Sequence, residues 1–475
     1  MSKYAKGDLT PVVPKRFRTV FFMLVACFAL WGLLNNMTDN LVPAFETIFG
    51  IKPSESAGVQ ISFYGAYAVL AIFAAMMVEE FSYKTGVLTG LGFYILGALI
   101  YIPACIAQSF DLYLLGIFIL AGGLSILETS CNPYVLSLGP EKTAVRRLNF
   151  AQAFNPVGSL AGIFLAKYLI LANLDGNSKA VQLFWVCVPY VGLIAVAAVI
   201  WLFFVRYKAP EDTSEQYEMP TQEDSMKTGL SKPALIGLYL LCIAIPVGLL
   251  VAINMLCDSP GIWGKMVCQL LFVMVGPLAF TLIIKNYRSM LCTLLKLPRY
   301  WMGVVAQFFY VGVQIAAWTW LNKYCCKQLG LSSDVAATYY VISLILFIVC
   351  RWIATYYMKK FNPADMMALF AIIAIAACAG TMYLPSDVLF TIGGLPFSAN
   401  VVCLILISGG MSLMFPTIYG IALGGLDNRI VKLGAAGLIM AILGGAIITP
   451  WMAAIIESTE SGWFALIPGC AATWD

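Results

Sequence analysis

The chain has 475 residues, 61% of them hydrophobic and 11% charged, against roughly 45–50% apolar and about 25% charged in an ordinary soluble domain. This composition excludes a water-soluble globule and indicates an all-α membrane protein that crosses the bilayer many times. The net charge of +4 points to no nucleic acid, and the absence of histidine removes imidazole ligands and relays, leaving carboxylates as the natural proton carriers.

Fourteen cysteines lie mostly inside apolar runs with no C-x-x-C pair, so they read as small buried hydrophobes rather than a disulfide framework or a metal site. No G-x-x-x-x-G-K-[ST] run is present, so energy for any pumping must come from an ion gradient rather than a bound nucleotide. No cofactor is expected, with the proton as the coupling ion.

The first eighteen or so residues are polar, and the apolar run behind them has no small-residue cleavage pattern. They read as a cytoplasmic tail. A crossing needs about 20 apolar residues at 1.5 Å rise. On that rule spans fall at about 19–43, 58–78, 86–108, 112–138, 148–173, 182–205, 234–256, 264–284, 301–322, 335–358, 365–384, 398–424 and 433–456, thirteen in all. With the N-terminus cytoplasmic, 22 of the 28 basic residues fall on the inner side. Only Lys52, Lys167, Lys179, Lys265, Lys323 and Lys327 fall elsewhere. The positive-inside rule therefore predicts a multi-pass protein of the inner (plasma) membrane in that orientation.

Residues 207–233, with Glu211, Asp212, Glu215, Glu218, Glu223 and Asp224, form the one long polar segment. It reads as a cytoplasmic linker dividing a six-helix bundle at 1–206 from a second bundle at 300–475. Residues 234–299 then hold an inserted two-span hairpin, 234–284, and a further linker. The halves echo each other: Gly122-Gly123-Leu124-Ser125 answers Gly409-Gly410-Met411-Ser412, and Arg146-Arg147-Leu148 answers Val431-Lys432-Leu433. Two parallel six-span repeats of this kind suit alternating access about a midplane site.

Glu128 lies about midway along the span at 112–138. An ionised acid there costs roughly 2.5 to 3.5 kcal/mol on insertion scales, so such a group faces a protein interior or a water path. Withdrawal of a carboxylate from water favours its neutral form, which suits proton exchange near neutrality, although carboxylate and amide oxygens also suit sodium. Asp39 is the other acid inside a span, in a stripe where Asn35 and Asp39, and Asn36 and Asn40, are one turn apart. Asn132 follows Glu128 by one turn, and Asn149, Gln152 and Asn155 recur at i, i+3 and i+6. These amides could be interhelical glue. Their convergence with two acids also suits a polyhydroxylated ligand, whose hydroxyls need donors and acceptors. The second half adds Gln307, Tyr310, Gln314 and Trp318, then Tyr339 and Tyr340; of these, Tyr310, Gln314 and Trp318 are candidate pocket residues, because sugars stack their C–H faces on aromatic rings. Such a stripe also suits packing or an interfacial belt. Arg351 and Lys167 are expected to snorkel to the interface with no substrate role.

These residues resemble the fucose:proton symporter family of the major facilitator superfamily. The resemblance rests on Leu30-Trp31-Gly32 with Asn35-Asn36 and Asp39, Leu127-Glu128-Thr129 with Asn132-Pro133, and Arg147-Leu148-Asn149 with Gln152 and Asn155. It continues in Tyr310-Val311-Gly312 with Gln314 and Trp318, and in Pro416-Thr417-Ile418. It implies two six-helix bundles around a central cavity, Asp39 and Glu128 handling proton and sugar, and Asn36, Gln152 and Asn155 near the sugar. It further implies that protonated Glu128 binds sugar from outside and releases it on deprotonation toward the cytoplasm. Three features depart from the family pattern: the hairpin at 234–284, a loop motif after the second span reduced to Glu79, Glu80, Lys84 and Gly86, and a chain end at which the last helix is expected to be incomplete. The fragment at 463–472 is too short to cross.

The expected protein is therefore a monomeric, proton-coupled symporter of L-fucose or a related hexose such as galactose or glucose, and not an enzyme. The alternatives are an uncoupled facilitator, a non-transporting sugar receptor on the same scaffold, or a membrane enzyme acting on lipid-linked sugars. The last would need a catalytic metal or base cluster that the sequence does not offer.

Overall fold

The computed structural model describes residues 12–39, 41–51, 53–174, 176–207, 231, 233–234, 236–241, 275, 277–385 and 387–458. The first half comprises α1 (Arg18–Asp39), α2 (Leu41–Phe49), α3 (Pro53–Glu80), α4 (Tyr83–Ala107), α5 (Phe110–Ser137), α6 (Ala144–Gln152), α7 (Asn155–Leu165) and α8 (Lys179–Arg206). After it come α9 (Lys285–Leu295), α10 (Pro298–Leu329), α11 (Ser333–Tyr357), α12 (Pro363–Tyr383), β1 (Val388–Ile392) and β2 (Leu395–Ser398). The chain ends in α13 (Ala399–Met411), α14 (Met414–Leu423), α15 (Asn428–Met440) and α16 (Gly444–Ser458).

Among the described residues 11 helices are long and apolar enough to cross a membrane, six before residue 207 and five after 297. Their outward faces are apolar where lipid would lie, as at Phe203 and Ile372, both more than half exposed. The spans expected at 234–256 and 264–284 fall largely outside the described residues, as do the linker 208–230 and the fragment 463–472. What is described of the hairpin rests on α3: the Tyr239 ring lies tilted against Phe73 and edge-on to Phe280, and its hydroxyl bonds the Val69 carbonyl. Beyond it Pro277–Ile283 turns through 106° into α9. The loop expected at 285–299 thus begins as a surface helix, with Tyr287, Met290 and Leu294 buried at i, i+3 and i+7.

Two of the expected spans, each a single crossing, carry a short interruption of the helix: one between α6 and α7, the other between α13 and α14. Pro156 and Pro416 stand just past these interruptions, and proline has no N–H to close the i−4 bond. Outside the spans, Gly393 and Gly394 at positive φ close β1 against β2 in a two-residue hairpin turn.

The floor of the first half is set by α5, buried without interruption from Leu120 to Val135. It lies close to α4 because a Cβ on Gly123 would come within 2.5 Å of the Tyr94 nitrogen, and one on Gly90 within 2.9 Å of the Gly123 carbonyl. Its C-terminal carbonyls are capped by Arg147, fully buried, which donates to Val135 at 2.7 Å, Leu136 at 2.5 Å and Gly139 at 3.3 Å. Arg147 also reaches the Val12 carbonyl at 3.1 Å, so one guanidinium locks three segments at the basic end.

Candidate functional site

Glu128 is 2% exposed and points into the protein, not into lipid. Neither of its carboxylate oxygens meets a hydrogen-bond partner among the described residues, and the same is true of Asn132 Nδ2. The Asn132 amide one turn on is its neighbour. Tyr67, and Tyr419 from the second half, lie within electrostatic range of the carboxylate, and the buried Tyr419 hydroxyl is without a partner among the described residues. Glu128 is therefore buried among polar groups contributed by both halves.

Asn132 Oδ1 accepts from Gln152 Nε2 at 2.7 Å. The same Gln152 links to the second half through its backbone: its carbonyl accepts from Arg351 Nη1 at 3.0 Å. That carbonyl is free for a side chain because its i+4 donor would be residue 156, a proline. The second contact of Arg351 repeats this logic, since Nε donates to the Ser412 carbonyl, four residues before Pro416. Arg351 is 3% exposed, with Phe347 under its guanidinium at 4.5 Å. The snorkelling expected for it is thus corrected: two proline-freed carbonyls hold it between the halves. Lys167 is exposed.

Tyr310 is buried beside Arg351, its hydroxyl facing the guanidinium outside hydrogen-bond geometry. Gln314, one turn on, is half-buried. Trp318 donates from Nε1 to Ser408 Oγ at 2.9 Å and meets the Tyr340 ring edge-on at 5.9 Å. Tyr340 in turn donates to Asn36 Oδ1 at 2.7 Å. The candidates thus assemble in two tiers across the seam: Gln152, bonded in turn to Asn132 beside Glu128, meets Arg351 with Tyr310 beside it, and Asn36 with Trp318 gathers around Tyr340.

The expected common face of Asn149, Gln152 and Asn155 does not form, because the break after α6 turns them to different partners. Asn149 Nδ2 donates to Thr417 Oγ1 across the seam at 3.1 Å. Asn155 Nδ2 donates to the Phe28 carbonyl at 3.3 Å, against α1. The Asp39 side chain lies outside the described residues.

The seam is closed at its basic end by Lys432 Nζ and Glu79 Oε2, 2.7 Å apart and 10% and 7% exposed. Arg351, Tyr340, Thr417 and Tyr419 were not singled out as site residues by sequence. A lone cation inside a span, with prolines in two helices that face it, was the available signal for the first.

A family model described as Major Facilitator Superfamily matches residues 19–449. The L-fucose-proton symporter of Haemophilus influenzae is 35% identical over 94% of this chain and 91% of its own length. The glucose/galactose transporter of Brucella abortus is 26% identical over 91% of this chain and 87% of its own. In structure, the fucose:proton symporter of Escherichia coli superposes with a TM-score of 0.70 at 26% identity, covering 94% of each chain. With the fold, the two-tiered seam and these likenesses together, the chain belongs to the fucose:proton symporter family of the major facilitator superfamily, a family of transporters rather than enzymes.

Proposed function

We propose that this protein carries L-fucose or a related hexose such as galactose or glucose into the cell with a proton, by alternating access between the bundles 1–206 and 300–475. The reading rests above all on Glu128, buried at the seam with both oxygens unpartnered among the described residues. A carboxylate in such a place is stable when neutral and strongly disfavoured when charged. Proton uptake and sugar binding therefore favour one another there: the neutral acid donates to a sugar hydroxyl, and its loss of the proton ejects the ligand. Asn132 and Gln152 supply further donors and acceptors, and Tyr310, Gln314 and Trp318 the opposite wall. Asn36 borders the sugar through the Tyr340 tier, Asn155 stands near the sugar from α7, and Asp39 takes part in proton entry. The relatives named L-fucose-proton symporter and glucose/galactose transporter support this substrate class.

Links at two levels account for alternating access. Asn36 to Tyr340 ties the halves near the end of α1, and Glu79 to Lys432 ties them at the basic end. Each access state breaks one set and keeps the other. The distribution of basic residues supports a cytoplasmic N-terminus in the inner membrane, and the protein works as a monomer.

Vesicle uptake of labelled L-fucose, competed with a hexose panel, tests the proposal. Accumulation is expected only with an inward proton gradient and not with sodium alone. Accumulation indifferent to the gradient would identify an uncoupled facilitator, and absence of counterflow a receptor. Asp39→Ala is expected to lose accumulation while keeping exchange; normal gradient-driven uptake by that variant removes Asp39 from the scheme.

A further inference from the structure

At the basic end of the seam a cavity of about 500 Å³ opens between the two halves. Its rim is cationic, with Arg18 and Arg146 from the first half and Lys359 from the second. None of the three has an ion-pair partner among the described residues, and Arg146 Nε is buried without a hydrogen-bond acceptor. Its wall is aromatic: Phe22, Trp352 and Tyr356 line it, and Phe22 and Tyr356 are 57% and 58% exposed.

Charge and apolar surface are layered along the helices. Arg18 opens α1 and Lys359 lies just past α11, at span ends, where basic residues of a membrane protein meet lipid headgroups. Phe22 is one turn deeper than Arg18, and Tyr356 one turn deeper than Lys359, at helical spacings of four and three. A soluble anion would satisfy the rim and leave the aromatic wall uncovered. An acidic peptide would do the same. An anionic amphiphile satisfies both, as basic pockets between membrane helices do for acidic headgroups.

We propose that this cavity binds one anionic phospholipid, with its headgroup among Arg18, Arg146 and Lys359 and an acyl chain on Phe22, Trp352 and Tyr356. Because both halves line the cavity, the lipid bridges them at this end. Its occupancy therefore favours the arrangement in which the seam is closed there.

The test reconstitutes the full chain in equal parts phosphatidylglycerol and phosphatidylcholine, extracts it, and measures retained lipid by native mass spectrometry. Phosphatidylglycerol is expected to be retained about tenfold over phosphatidylcholine. The double variant Arg146→Gln/Lys359→Gln should lose that preference and Lys359→Arg should keep it. Equal retention of the two lipids by the wild type, or an unchanged preference in the double variant, overturns the proposal. So does displacement of the lipid by millimolar glycerol 3-phosphate, which would mark a soluble-anion site. Retention that appears only after Glu211, Asp212, Glu215 and Glu218 are changed to Gln would assign the cavity to the linker instead. A second measurement needs no charge variant: brominated phosphatidylglycerol should quench the fluorescence difference between wild type and Trp352→Phe more than brominated phosphatidylcholine does. Equal quenching overturns the assignment.

Discussion

Glu128 in the first half and Arg351 in the second are both buried inside membrane-spanning helices, at 2% and 3% exposure, yet the protein treats them in opposite ways. Arg351 is solvated by the protein itself, with carbonyls of Gln152 and Ser412 as acceptors and the Phe347 ring beneath it. Glu128 has no acceptor or donor within hydrogen-bond geometry among the described residues. A guanidinium cannot shed its charge in a protein, so it has to be partnered permanently. A carboxylate can discard its charge by binding a proton, so it can be left without partners, and that freedom is what coupling needs. The fixed charge holds the halves together; the removable one responds to ligand.

The contrast is broken most severely at Glu128. Glu128→Gln, a fixed mimic of the neutral acid, should reduce gradient-driven sugar accumulation to the level of vesicles lacking the protein while leaving counterflow intact, and Glu128→Ala should abolish sugar binding as well. Gradient-driven accumulation by the Gln variant would show that this acid carries no coupled proton.

Next in size is the fixed charge. Arg351→Met strands two buried carbonyls, each at a cost of about 1–3 kcal/mol, so thermal unfolding in detergent should drop well below wild type. Arg351→Lys should recover part of the loss, because an ammonium reaches one carbonyl but lacks the planar fork. A Met variant as stable as wild type would show that the proline-freed carbonyls find water.

A smaller effect is expected at the basic end. Lys432→Gln leaves Glu79 with little solvent and no counter-charge, at about 2 kcal/mol, between the values for exposed and buried pairs. Labelling of a cysteine placed in the seam from that side should rise, and the exchanged pair Glu79→Lys/Lys432→Glu should bring it back. The smallest change is Tyr340→Phe, which removes one hydrogen bond to Asn36 worth about 1 kcal/mol. Sugar affinity in counterflow should weaken a few-fold, with coupling to the proton gradient intact.

Much of this was legible in the chain. Glu128 stands out in sequence because a single carboxylate in an apolar span has few physical explanations, and Asn132 one turn away marks the same face. The two-fold echo and the placement of 22 of the 28 basic residues on one side indicate paired bundles without any coordinates. The hidden part concerns which helix faces which. Arg351, three-quarters of the way along its helix, satisfies the description of a snorkelling residue equally well, and nothing local distinguishes the two fates. Asn149, Gln152 and Asn155 look like one polar face as long as the helix is assumed continuous. The break after Gln152 sends them to Thr417, Asn132 and the Phe28 carbonyl instead.

Hydropathy, the spacing of polar residues and the side on which the cations fall determine the membrane-spanning helices, the two halves and the acid in their midst, because the cost of burying a charge in lipid depends on position along the chain. The pairing of Pro156 and Pro416 with Arg351, the tie between Asn36 and Tyr340, and the cavity between the halves at the basic end were decided by tertiary structure alone. A carbonyl released by proline is only an acceptor in waiting, and the donor that reaches it comes from a helix about 200 residues away.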